Sequence, residues 1–495
     1  GNPIYVTEHF SETRHFTSFF THNSLIMTHQ HTISFKKFIR YFWIAISGKE
    51  TEFTSGSIRK AIFMLSIPMI LEMLMESIFA LVDIAYVSKV SVNAVATIGL
   101  TESVITLVYA LAIGLSMAAT AVVARRIGEK DVDGARIAAV QAISLGVVIS
   151  IIIGIIGIIY AKDILALMGG EPDLIEQGYG YTQFLIGGNI TVVLLFLINA
   201  IFRGAGNASI AMWALVLSNG LNIILDPMFI FGFGPIPEMG VKGAAVATNI
   251  GRGTAVLFQL GILFFGWGKI KLMAKDLVLN FKVMLNLIKV SLGGIAQFLI
   301  GTSSWIFLMR IMSEFGSEVL AGYTIAIRVM MFTLMPSWGM SNAAATLVGQ
   351  NLGAKQPDRA ERSVWKTGKY NAYFMGTVSL VYLIFANTII SWFNTTPEVV
   401  KSGALCLQVI ALGYIFYAYG MVMTQAFNGA GDTGTPTKIN LIAFWVFQLP
   451  LAYISALVLG WGATGVFVAI TSAEILIAVL AMVWFKKGKW KKVQV

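Results

Sequence analysis

The sequence is short of the groups on which redox, metal and hydrolytic chemistry usually rest. It holds one cysteine, Cys406, so an intrachain disulfide and a cysteine-based zinc or iron–sulfur site are excluded. Its five histidines, His9, His15, His22, His29 and His31, all lie near the start, at spacings that fit no metal site. No G-x-x-x-x-G-K-[ST] loop occurs, which removes a nucleotide-driven pump, and no nucleophile–base pair or metal motif supports a membrane-embedded enzyme. Charge is scarce as well, at 12% of residues.

What fills the chain instead is apolar. Hydrophobic residues make up 57% of it, mean hydropathy is +0.77, and 48 glycines provide the small surfaces that let membrane helices approach one another. A spanning helix needs roughly 20 apolar residues. Segments of that length lie near 60–87, 93–123, 137–160, 176–202, 209–232, 243–266, 283–311, 318–348, 367–391, 399–427, 438–459 and 463–485. The expected fold class is therefore an all-α polytopic membrane protein with twelve transmembrane helices.

Lysine and arginine set the orientation. With the amino terminus in the cytoplasm, Lys89, Lys162, Lys242 and Lys401 are the ones on the far side, and Arg252, Arg310 and Arg328 sit within spans. The rest of the 35 fall on cytoplasmic segments such as Arg125–Lys130, Lys355–Arg362 and the tail Lys486–Lys492. That bias predicts a multi-pass protein of the inner (plasma) membrane with both termini cytoplasmic. It also accounts for the net charge of +10 without a nucleic-acid partner, leaving membrane lipids as the surface that the basic tail meets. Residues 1–50 form an extension. Within it Ser34–Ile46 places Phe35, Phe38, Ile39, Phe42 and Ile46 opposite Lys36, Lys37 and Arg40, the pattern of a helix lying on a membrane surface.

The chain repeats itself. Ile127-Gly128-Glu129-Lys130 returns as Leu352-Gly353-Ala354-Lys355, an offset of 225, and Phe202-Arg203-Gly204-Ala205-Gly206-Asn207 returns as Phe427-Asn428-Gly429-Ala430-Gly431-Asp432 at the same offset. Ser66-Ile67-Pro68 matches Ser291-Leu292-Gly293, and Gly240-Val241-Lys242-Gly243-Ala244 matches Gly462-Ala463-Thr464-Gly465-Val466 at 222. The reading is two six-helix lobes, 51–282 and 283–495, related by an axis along the membrane normal, with a binding cavity between them.

Ionisable residues inside spans point to function, because a charge at bilayer depth costs at least about 2.5 kcal/mol. Glu72, Glu76 and Asp83 fall within about 40° of one another on the first helix, so they line a cavity or interface and not lipid. Asp226, four residues after Asn222 and just before Pro227, completes an acidic first lobe that the second lobe does not match: Leu308, Gly301 and Leu451 stand opposite Asp83, Glu76 and Asp226. Carboxylate, amide and hydroxyl oxygens suit a hard cation, and one buried carboxylate can carry a proton. Thr248 can add a hydroxyl. Arg252 and Glu474 occupy equivalent positions and each needs a partner, an acid of the first lobe for Arg252 and Arg328 for Glu474. Pro68 and Gly293, early in the first helix of each lobe, are candidate hinges.

These motifs, with Leu81-Val82-Asp83 and Asn222-Ile223-Ile224-Leu225-Asp226-Pro227 through Gly232, resemble multidrug and toxic compound extrusion (MATE) transporters over about 55–487. The resemblance implies a monomeric, cofactor-free antiporter that exports cationic or amphipathic organic compounds in exchange for sodium or protons. It places the cation or proton site on Asp83, Asn222, Asp226 and Thr248, with Glu72, Glu76, Gln297 and Arg252 as substrate-cavity or proton-relay residues. One branch of the family uses acids in helices 7 and 10; here helix 7 has Gln297 and helix 10 has none. The alternative within the same architecture is a lipid-linked oligosaccharide flippase, for which Arg252, Arg310 and Arg328 would serve the pyrophosphate and against which the acidic first lobe argues.

Overall fold

The computed structural model describes residues 38–49, 52–87 and 89–495, and the histidine tract and residues 34–37 lie outside them. Among the described residues the chain is helical apart from loops and one isolated bridge between Phe233 and Ile236. The first lobe comprises α1 (Ile58–Val87), α2 (Val92–Gly128), α3 (Val132–Ile159), α4 (Pro172–Ala205), α5 (Ala208–Ile230) and α6 (Val241–Phe265). The second comprises α7 (Phe281–Met312), α8 (Ser317–Gly353), α9 (Pro357–Ser391), α10 (Pro397–Ala411 and Tyr414–Gly429, bent by 59°), α11 (Gly434–Val458) and α12 (Ala463–Lys486).

Length and apolarity alone qualify 10 of these as spans, or 11 with the bent pair of α10. The one left over is α6, where Lys242, Arg252 and a small-residue first half lower the hydropathy of an otherwise ample 25-residue helix. Side chains supply the helix starts. Ser91, Asp131 and Asn280 accept hydrogen bonds from the backbone N–H of Ala94, Gly134 and Val283 at the heads of α2, α3 and α7. The outer surface is the apolar one expected against lipid: Ile151, Ile152, Ile155, Ile156 and Ile159 of α3 are all exposed. Cys406 is buried. Residues 38–46 form the short helix expected from the amphipathic segment, tied to α5 by a 2.8 Å bond from Trp213 Nε1 to the Ile46 carbonyl.

The repeat is visible as backbone. Lys130 and Lys355 take the same left-handed φ, 61° and 57°, after α2 and α8, and Gly206 and Gly431 do so at 87° and 85° after α4 and α10. The lobes exchange their first two helices as contacts: α1 packs on α8, and α2 on both α7 and α8. At the end of the bundle rich in lysine and arginine, α2 and α8 cross glycine on glycine. A Cβ added to Gly128 would lie 2.0 Å from the Gln350 carbonyl oxygen, and one on Gly353 would lie 2.1 Å from that of Arg125. Each lobe then caps the other. Arg125 Nη2 donates to the Ala430 carbonyl at 3.2 Å, and its repeat equivalent Gln350 donates through Nε2 to the Gly204 carbonyl at 2.9 Å.

Candidate transport cavity and cation site

Above that crossing, a cavity of about 250 Å³ opens between the lobes. Glu72, Glu76, Tyr109 and Arg203 face it from the first lobe, and Trp338 and Asn428 from the second, with Phe196, Phe298 and several methionines supplying apolar wall. At its floor Glu72 is 1% exposed. One of its oxygens, Oε1, accepts from Arg203 Nη1 at 2.5 Å and from Asn199 Nδ2 at 3.0 Å, while Gln259 Nε2 donates to Asn199 Oδ1 behind them. A buried charge needs such partners, because an unpaired one carries a desolvation cost of several kcal/mol. The second lobe repeats the arrangement without charge. Gln297, the counterpart of Glu72, donates to Asn428, the counterpart of Arg203, at 2.9 Å and accepts from it at 3.2 Å.

Higher on α1, Glu76 stands 3.8 Å from Arg252 Nη2. That nitrogen also donates to the Tyr109 hydroxyl at 3.2 Å, and the guanidinium lies over the Phe79 ring. The expected pairing of Arg252 with a first-lobe acid therefore holds. The pairing expected for Glu474 does not: among the described residues it forms no ion pair, Tyr417 is its polar neighbour, and Arg328 is exposed and within Coulomb range of Glu102 instead. Helical periodicity placed Glu474 correctly in α12, yet it could not show that Arg328 faces outward, exposed, while Glu474 is buried.

The cation set is gathered in the first lobe, outside the lining of the cavity. Asn222 Nδ2 donates to both Asp226 Oδ1 and Thr248 Oγ1, each at 3.2 Å. Asp83 lies within Coulomb range of Asp226. Three buried oxygens, Asp83 Oδ1, Asp226 Oδ2 and Asn222 Oδ1, have no hydrogen-bond partner. Buried acceptors are normally satisfied, so three left open together are the chemistry that a proton or a cation would complete. The donor set, all oxygen and with two carboxylates, fits sodium as well as a proton. Among the described residues no cluster of three or more His, Cys, Asp or Glu side chains exists that would suit a transition metal.

Of the expected hinges, Pro68 lies inside an unbroken α1. Gly293 lies where α7 meets Thr433, whose Oγ1 would be 2.3 Å from an added Cβ. Sequence reasoning missed Arg203, Asn199, Gln259 and Tyr109. The signal for Arg203 was available, since it and Asn428 sit inside the repeated Gly-Ala-Gly motif. The bend in α10 falls at Gly413 with no proline to announce it, whereas the π-helical stretches of α11, Leu441–Gln448 and Ile454–Val458, flank Pro450, a mid-span proline that was a readable signal for an irregular helix.

Two exchanging lobes, a cavity sealed at one end and a buried oxygen cluster beside it define a multi-pass membrane carrier. The chain matches the MatE family over residues 68–228 and 294–454, and it belongs to that family. It is therefore a transporter and not an enzyme. Among curated relatives it is 26% identical to the probable multidrug resistance protein NorM of Thermotoga maritima, covering 88% of this chain and 94% of the relative. It is 22% identical to the multidrug export protein MepA of Staphylococcus aureus (87% and 94% covered) and 23% identical to an FAD transporter of Shewanella oneidensis (86% and 94%). Its structure superimposes on the crystal structure of MATE in complex with MaL6 with a TM-score of 0.83 at 26% identity, covering 89% of this chain and 99% of that one.

Proposed function

We propose that the chain exports amphipathic organic cations across the inner membrane by alternating access of lobes 51–282 and 283–495, in exchange for inward sodium or protons bound at Asp83, Asn222, Asp226 and Thr248. The observation that carries this reading is the group of three partnerless buried oxygens next to an interlobe cavity with an aromatic and acidic wall. The basic end is the cytoplasmic one under the charge rule, so the state seen here is closed to the cytoplasm. Glu76, a quarter exposed, is the acid that a cationic cargo meets. Glu72 holds the floor, Gln297 steadies the lining residue Asn428 from behind, and Arg252 holds Glu76. Pro68 and Gly293 serve as flexure points early in α1 and α7.

A pyrophosphate-linked cargo fits less well, because Arg203 and Arg252 are already engaged by Glu72 and Glu76. The test is uptake of a fluorescent cationic dye into inverted vesicles under separately imposed sodium and proton gradients. Wild type is expected to accumulate dye under one of them. Asp226→Asn, which keeps volume and loses the charge and the titratable proton, is expected to bind dye but lose gradient-driven accumulation. Wild-type accumulation by that variant would move the coupling site elsewhere.

A further inference from the structure

The N-lobe set accounts for Asp83 and Asp226 but leaves one acid in the C-lobe interior unexplained. Glu474 lies midway along α12, 9% exposed, with the Tyr417 side chain of α10 as its polar neighbour. The seam around it is tight on both sides. A Cβ on Gly413 would sit 2.9 Å from Thr471 Cγ2, and one on Gly420 would sit 3.4 Å from Ile477 Cγ2. One turn away, the Thr471 hydroxyl is already spent on the carbonyls of Phe467 and Val409, at 2.9 and 3.2 Å.

The groups that face this seam supply no countercharge. From α10 come Tyr417, Tyr414 and the buried Cys406, none of them a cation, while the charges of that helix, Glu398 and Lys401, are exposed in its first turns, before the bend. The neighbouring α11 offers Lys438 near its start and an exposed Tyr453, and α7 carries Lys289 and Arg310 towards its two ends, with Arg310 paired to Glu314 at 2.5 Å. Among the described residues no lysine or arginine forms an ion pair with Glu474. An ionised carboxylate in such a place costs several kcal/mol, and the usual resolution is to take up a proton. A metal cation is a poor alternative, since it wants about six oxygens and the seam offers a carboxylate and one phenol.

We propose that Glu474, buried in the seam with the Tyr417 phenol beside it, is a second proton-binding site, placed in the C-lobe and acting on α10. The proton moves between water and the carboxylate; the phenol stays neutral and exchanges the role of acceptor for that of donor. Tyr417 follows the α10 bend by one turn, and the same half-helix ends in Gln425 and Asn428 at the cavity. Loss of the proton leaves a bare charge in the seam, which favours its opening to water and shifts that half of α10. The sequence expectation of no second-half site concerned acids of helices 7 and 10, whereas this acid is on helix 12.

Infrared titration of purified protein tests the site without any cargo. A protonated-carboxyl C=O stretch present at neutral pH is expected to vanish in Glu474→Gln and to change frequency in Tyr417→Phe, which keeps the acid and removes its partner. A spectrum unchanged by Glu474→Gln, or a band indifferent to Tyr417→Phe, would overturn the proposal, and the second variant decides should the first not fold. In vesicles with a pH gradient, Glu474→Gln is expected to lower uphill dye movement by about tenfold while gradient-free exchange persists. Undiminished uphill movement would also overturn it. Failure of wild type to move any dye would instead strike the export reading and leave the infrared result to stand.

Discussion

At the scale of single residues the clearest contrast is between two equivalent pairs beside one cavity. The first lobe holds Glu72 with Arg203 and the second holds Gln297 with Asn428, at equivalent positions. Removing one member of a buried ion pair strands the other, at a cost of about 3–5 kcal/mol. Arg203→Met is therefore expected to lower the Tm sharply, and Arg203→Asn combined with Glu72→Gln, which copies the second lobe, to recover most of it. Thermal unfolding in detergent checks both, and equal losses in the single and double variants would show that the charge pair is not what holds the floor. The acid was legible in the sequence because a glutamate in a spanning helix is costly. Its partner was marked only by the repeated motif that contains it, because an arginine near the end of a helix otherwise reads equally well as a lipid anchor.

At the scale of elements the fold was readable for a reason that the backbone now explains. Three of the repeated motifs mark places where the chain needs an uncommon conformation: left-handed φ at Lys130 and Lys355, at Gly206 and Gly431, and positive φ at Gly240 and Gly462. Periodicity found the helices between them, and it failed where a helix departs from 3.6 residues per turn, as in α11 and at the bend of α10. The same motifs bring α2 and α8 together, with a Cβ on Gly349 falling 2.6 Å from that of Ala124. A disulfide between Ala124→Cys and Gly349→Cys is expected to form after a slight separation of the helices, to stop dye transport and to be reversed by reductant. Full turnover with the bond complete would rule out rocking about this crossing.

At the scale of the whole molecule the two lobes are also strapped together at the basic end. Trp490 is buried and stacks on Phe485 at 4.6 Å, Lys491 pairs with Glu361 at 2.6 Å, and Val493 and Val495 accept from Arg125 and Arg126 of the first lobe. In the opposite sense Arg359 of the second lobe donates to the carbonyls of Phe53, Ser55 and Gly56, ahead of α1. Deleting residues 493–495 is expected to raise the fraction of molecules open at the basic end, read as faster labelling of a thiol reporter there. Unchanged labelling would make the tail a passenger. The hydrogen bond to Glu361 raises Lys491 above the usual lysine range. Its contribution is complete below the ordinary lysine value and is lost only as pH climbs through the raised one, so the strap is expected to be indifferent to pH near neutrality.

The lone thiol has a use that follows from where it sits. Cys406 lies in the C-lobe core, shielded on α10, so a membrane-impermeant reagent has nothing to react with while that core stays closed. Its modification is a clock for the opening of the C-lobe. Dyes or spin labels placed elsewhere can then report distances between the lobes in a chain that needs no cysteine removed.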